Sequence, residues 1–138
     1  MRIDFIKKCK TDCDLSRKEA KLIIEKIFNG LKKNTENMSC EVILVKDTEM
    51  KKINKKFRQI NEVTDVLSFP QTTVKNSPEI CLGSIIICPS VAINTGQNCK
   101  ELLAHGILHL LGYDHEKDNI NWQKYENKIK DFYELQKI

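Results

Sequence analysis

The chain has 138 residues, the size of one ordinary domain, with 41% hydrophobic residues, 30% charged residues and a formal net charge of +4. That balance excludes an intrinsically disordered chain, and no apolar run approaches the roughly 18–20 residues that a membrane span requires. A sequence pI of about 8.7 permits a polyanionic partner without demanding one, because dedicated nucleic-acid domains often exceed about 9.

Lys7, Lys8 and Lys10 interrupt the first ten residues, so no secretory signal is expected and the expected location is the cytoplasm. The six cysteines, Cys9, Cys13, Cys40, Cys81, Cys88 and Cys99, form no C-x-x-C pair and are scattered along the chain. They are expected to be reduced thiols that serve as small core hydrophobes. Cys9 and Cys13 stand four apart, but structural zinc usually needs a second pair of ligands.

With no internal repeat or linker, residues 1–138 read as a single domain. Arg2 to Ile6 alternates Ile3 and Phe5 onto one side and predicts a short strand. Ser16-x-x-Glu19 is a capping box, and Ala20, Ile23, Ile24, Ile27, Phe28 and Leu31 follow at helical spacing, predicting an amphipathic helix that ends near Gly30. Cys40 to Val45 reads as a strand. Asp47 or Thr48 is expected to cap a second helix that buries Met50, Ile53 and Phe57, with Lys51, Lys52, Lys55, Lys56 and Arg58 on its solvated remainder. Val66–Phe69 and Ile80–Cys88 read as two strands in a hairpin-like pairing around a loop bounded by Pro70 and Pro78, and Pro89 ends the second of them. Asn98-x-x-Glu101 caps a third helix running to about Leu111, and Trp122, Tyr125, Ile129, Phe132 and Tyr133 mark a last one. The order β-α-β-α-β-β-α-α implies an α+β architecture, with helices packed on a mixed sheet of about four strands.

All three histidines fall within Ala104–His115. His105 and His109 are four apart, so on a helix their Cβ atoms lie about 5–6 Å from each other on one face. Neutral imidazoles at that spacing suit a single zinc ion. Gly112 can end the helix in a left-handed conformation, letting the chain double back and offer His115 to the same ion. Three protein ligands leave a coordination position for water, the layout of a catalytic site rather than a closed structural one. A histidine pair alone is often a surface accident, but H-x-x-x-H-x-x-G-x-x-H is far more demanding. Metal-dependent peptidases share this spacing and use a Glu directly after the first histidine as general base. Here Gly106 stands at that position, which leaves Asp114, Glu116, the substrate or metal-bound hydroxide as the base.

The segment from His105 to His115, H-G-I-L-H-L-L-G-Y-D-H, resembles the signature of the YbeY family of bacterial endoribonucleases. Thr64-Asp65-Val66-Leu67-Ser68-Phe69-Pro70 matches the family's second block, and Arg58 stands six residues before it. The resemblance implies a zincin-like fold, with zinc on His105, His109 and His115 and the site on a helix and its following turn. It implies cleavage of single-stranded RNA in rRNA processing, at the 3′ end of small-subunit rRNA, together with ribosome quality control and contact with the ribosome or its proteins. It also implies that Arg58 binds or stabilises phosphate as a catalytic residue. Two departures stand out: Gly83-Ser84 replaces the family's usual Gly-Asp, and Trp122 stands in a shortened segment where the family usually has Met.

Read from its residues alone, Arg58 fits equally a solvated helix-end charge or an ion pair with Asp65. Asp65 fits either a turn cap or a carboxylate that orients Arg58 or a histidine. Two further functional classes compete with the nuclease: a metallopeptidase or amidase, and a non-catalytic, zinc-stabilised ribosome assembly factor.

Overall fold

The computed structural model describes residues 1–71 and 78–112. The last predicted helix, around Trp122–Tyr133, lies outside the described residues, as do Asp114, His115 and Glu116.

The elements run β1 (Arg2–Lys7), α1 (Arg17–Gly30), β2 (Met38–Leu44), α2 (Asp47–Arg58), β3 (Val66–Pro70), β4 (Ile80–Ile87), α3 (Pro89–Asn94) and α4 (Cys99–Leu110). The four strands form one mixed sheet in the order β1-β2-β4-β3. β1 and β2 pair in parallel, β2 and β4 pair in parallel, and β3 closes one edge antiparallel to β4. The hairpin register pairs Val66 with Ile87, Ser68 with Ile85 and Pro70 with Gly83. Gly83 is required there: at φ +129° a Cβ would run into the Phe69 carbonyl oxygen and stand 2.9 Å from the Pro70 Cα.

Strand alternation divides the core between the two sheet faces. Ile3, Val42, Leu44, Ile85 and Ile87 pack with Ile23, Ile24, Ile27 and Phe28 of α1 and with Leu102, Leu103 and Ile107 of α4. The opposite face carries a smaller cluster, in which Val45, Ile86 and Cys88 meet Met50 of α2, with Ile53, Leu67, Phe69 and Val91 at its margin. The capping box of α1 forms as expected, with the Ser16 hydroxyl accepting from the Glu19 amide at 3.3 Å.

Three expectations are corrected. α2 is preceded by Lys46 at its cap position, with no side-chain cap bond, while Asp47 is already helical and its carboxylate accepts from the Ser90 hydroxyl and the Cys88 thiol. A partner 43 residues away has taken the carboxylate that local sequence assigns to the helix end. Phe57, expected in the core, is 57% exposed, because the last turn of α2 overhangs edge strand β3. Pro89 does end β4 but also opens α3, a six-residue helix too short to show a periodic signal.

The six cysteines, all within the described residues, are free thiols, and Cys40, Cys88 and Cys99 are buried as expected. Burial, the largest cause in each case, pushes the Cys40 and Cys99 thiols up to about 12, which keeps them from forming thiolates. No helix among the described residues is long and apolar enough to cross a membrane.

Candidate functional site

Helix α4 is clamped where it starts. The Asn98 side chain accepts from the Glu101 amide at 2.8 Å, Asp14 Oδ1 accepts from the Cys99 amide at 3.3 Å, and Lys100 Nζ lies 2.7 Å from Glu19 Oε2 on α1. From Glu101 to Leu110 the helix is buried except at three positions, Glu101, His105 and His109. These recur every four residues and so form one stripe. The stripe opens into a cleft of about 630 Å³ lined by Asp65, Val66 and Ser68 of the β3 side, Gly96 and Gln97 of the preceding loop, and Glu101, His105, Gly106 and His109 of the helix. A volume of this size falls in the usual range of ligand sites. At the far end, the Gly112 amide donates to the His109 carbonyl at 3.0 Å, and Gly112 takes φ +92°, the left-handed turn expected of it.

The structure therefore brings His105 and His109 together on one cleft wall, while His115 lies outside the described residues. Among the described residues, no set of three or more His, Cys, Asp or Glu side chains forms a metal-binding group. The donor chemistry still fits zinc. Two imidazoles share a face of a helix held rigid on its other sides, and a left-handed turn follows directly.

Gly106 explains how the helix approaches the sheet. A Cβ there would meet Ile85 side-chain carbons at 3.0 and 3.1 Å and the Ser68 hydroxyl at 3.1 Å. A side chain at the position that carries the peptidase carboxylate would thus press on Ile85 and Ser68, whose side chains would have to give by a few tenths of an ångström.

Arg58 sits at the C-terminal end of α2, on the opposite side of the sheet from the histidines, and reaches the edge of β3 that pairs with no described strand. One of its Nη atoms donates to the Ser68 carbonyl at 3.1 Å, and its guanidinium lies 5.5 Å from the Phe69 ring centroid. It forms no ion pair with a described residue, so the alternative of pairing with Asp65 does not hold. Asp65 Oδ1 instead accepts from the Val66 amide at 2.8 Å and from the Thr64 hydroxyl at 3.4 Å, which is its turn-capping reading. Buried Asn54 fastens this loop to α2 by donating to the Glu62 carbonyl at 2.9 Å. Ser84, where the family usually has Asp, donates to Glu41 Oε1 of β2 at 2.9 Å. It alternates with Ile85 and so faces away from α4, and the departure at this position does not alter the cleft.

Sequence reasoning missed Gln97 and, more tellingly, Glu101 as cleft residues. In the sequence Glu101 stands out only as half of a capping box, although its place four residues before His105 carries the signal.

Together these features define an α+β protein with a mixed sheet, in which a clamped helix presents an imidazole pair to a cleft beside an edge strand. Comparison with known proteins narrows this class. The sequence pattern of the family described as "Endoribonuclease YbeY" matches residues 5–134. Relatives named Endoribonuclease YbeY include one from Nitratiruptor sp., 42% identical over 70% of this chain and 71% of its own length, and one from Helicobacter pylori strain 26695, 37% identical over 78% of this chain and 79% of its own. The solution structure of TM1509 from Thermotoga maritima superposes with a TM-score of 0.56 at 28% identity, covering 97% of this chain and 93% of that one. The chain belongs to the endoribonuclease YbeY family, a family of RNA-cutting hydrolases that acts in rRNA processing.

Proposed function

We propose that this chain is a zinc-dependent endoribonuclease that cuts single-stranded RNA, with His105, His109 and His115 as the metal ligands of a zincin-like site. The observation that carries this reading is the stripe on α4, where two imidazoles face a cleft on a helix otherwise packed into the core. Bound there, the metal would polarise a phosphoryl oxygen and lower the pKa of water toward about 7. The protein supplies the rest. The caps and the Lys100–Glu19 pair hold the start of α4 in place, so the helix that carries the imidazoles is positioned before a metal binds. Arg58, anchored on the Ser68 carbonyl, presents an exposed guanidinium at the cleft's edge strand, where it would hold a phosphate through charge-assisted hydrogen bonds. The family membership supports rRNA as the substrate, at the 3′ end of the small-subunit rRNA, with the ribosome as partner and the cytoplasm as location.

A metallopeptidase or amidase fits the structure less well. Peptidases of this spacing need a carboxylate where Gly106 abuts the sheet. The edge of β3 is also poorly suited to pair with an extended peptide: the Val66 amide is held by Asp65, the Ser68 carbonyl by Arg58, and Pro70 has no N–H.

The test is to offer single-stranded RNA and casein to the zinc-loaded protein and to its His109→Ala variant, each with and without chelator. RNA cleavage that requires both metal and His109 is expected. Casein cleavage without RNA cleavage overturns the proposal in favour of a peptidase. A wild type that cuts neither but unfolds on chelation overturns it in favour of a zinc-stabilised assembly factor.

A further inference from the structure

The last two thirds of α2 read Lys51-Lys52-Ile53-Asn54-Lys55-Lys56-Phe57-Arg58, and all four lysines, Phe57 and Arg58 are exposed. Phe57 is not a stray surface hydrophobe. It packs against Phe69 of β3, with ring centroids 5.3 Å apart and planes tilted by 59°, so one side of the ring is held while more than half of the residue faces water. Cations flank it. The exposed Lys56 reaches over the Phe57 ring with Nζ 5.2 Å from its centroid, so a stacking base would turn this mobile ammonium toward the phosphates. Arg58, the residue after Phe57, is fixed over the Phe69 ring. Ile60 and Val63, also exposed, follow in the loop after α2.

The position matters as much as the composition. Phe69 and Ser68 are consecutive on β3, and their side chains leave opposite faces of the strand. Phe69 supports Phe57, while Ser68 lines the histidine cleft. Arg58 spans the difference, coming from the Phe57 side and bonding the Ser68 carbonyl on the edge away from β4. Among the described residues β3 is the outermost strand of the sheet, so a single strand of nucleic acid can pass from α2 around this edge into the cleft without crossing another described strand.

A rigid, half-supported aromatic ring among cations beside an RNA-cutting cleft matches one ligand chemistry, that of unpaired nucleic acid. Bases stack on the ring and phosphates pair with the cations. We infer that Phe57 is a stacking platform for an unpaired base of the RNA substrate, next to a phosphate held by Arg58, and that the strand reaches the histidine cleft around the edge of β3. A double helix keeps its bases stacked on one another and cannot use this platform, so Phe57 selects for single strands. The inference rests on the nuclease reading and supplies its substrate-binding surface.

The test uses the full-length protein in chelator, where binding is separated from cleavage, and a single-stranded RNA carrying one 2-aminopurine. Binding by the wild type should quench the fluorescence of the stacked base. Phe57→Leu stays apolar and still packs on Phe69, yet should bind about ten-fold more weakly and show no quench, whereas Phe57→Trp should restore both. With metal restored, Phe57→Leu should raise KM and leave kcat nearly unchanged, as expected when an interaction is made equally in ground and transition states. If Phe57→Leu binds and quenches like the wild type while the wild type still cuts RNA, the stacking role is overturned, the surface is left to a protein partner and the nuclease reading stands. A Phe57-dependent quench in a protein that cuts no RNA when loaded with metal upholds the platform and overturns the nuclease. Failure of the wild type to bind RNA overturns both.

Discussion

The two faces of the sheet are built to different standards. Behind it, α1 and α4 share a dense core with Ile3, Val42, Leu44, Ile85 and Ile87, and every position of α4 from Glu101 to Leu110 that does not face the cleft is buried. In front, α2 rests on a small cluster centred on Met50, and its last turn overhangs the edge of the sheet. The histidines lie on the first face and the cations and exposed ring on the second. The contrast is between two tasks. On the proposed reading the histidines are ligands of one ion, and such ligands must be held to a fraction of an ångström, which calls for a firmly seated helix. A surface that follows a flexible polyanion gains from reach and charge and needs little core beneath it.

The sharpest break in this comparison is on the α4 side. His109→Ala should lower RNA cleavage by at least about a hundred-fold, because losing even an outer partner of a metal ligand costs about 10–100-fold. His109 is only half-buried, so its removal should leave the unfolding transition of the chelated protein close to that of the wild type. A variant that unfolds earlier by several degrees and retains activity would mean that the stripe serves packing rather than chemistry.

Stability provides the next measurement. Leu103, fully buried on α4, should lose about 2–5 kcal/mol on replacement by alanine. Ile53, only partly buried on α2, should lose no more than about 2 kcal/mol in the same change, since much of its apolar surface still meets water. Urea unfolding of both variants decides the point. Equal losses would show that the two faces support the fold alike and that the comparison is mistaken.

How far these features can be read in advance depends on whether a residue's partner is local. Ser16 and Asn98 are legible as caps because each bonds an amide three residues on. The sheet is legible in strand number and in the β3–β4 hairpin, since alternation and the two prolines are local signals, but the parallel order β1-β2-β4 depends on long-range pairing. Phe57 misleads because it stands seven residues after Met50, in step with a buried stripe. Periodicity describes the helix face, not where the sheet beneath it ends. The histidine pair is legible from spacing alone. The approach of Gly106 to Ile85, which gives that glycine its reason, needs the fold.

Charge on the front face should act more gently. Replacing Lys51, Lys52, Lys55 and Lys56 by alanine should weaken RNA binding at low salt and flatten its salt dependence by about 0.7 in log–log slope for each phosphate that is no longer neutralised. kcat at saturating RNA should hold, because none of the four lines the cleft. An unchanged slope would place the RNA elsewhere on the molecule.

The smallest effect expected is at the other end of α2, where Asp47 accepts from Ser90 and so ties α2 to α3. The Ser90 hydroxyl, assisted by the Cys88 thiol, holds the Asp47 carboxyl below its ordinary value of 3.8. Folding therefore favours the ionised form, and the stabilisation is present in full at pH values above 3.8. It is lost as pH falls through 3.8 and the lower value of the folded state. The carboxylate is largely exposed, so solvent screening keeps the contribution on the order of 0.5 kcal/mol or less. Urea unfolding of the wild type and of Asp47→Asn from pH 7 down to about pH 2.5 should show the wild type slightly more stable at neutral pH, with the difference closing in acid. A difference that widened in acid would reverse the sign. Asp47 would then be a strained pairing tolerated at the front face rather than one of the few interactions that secure it.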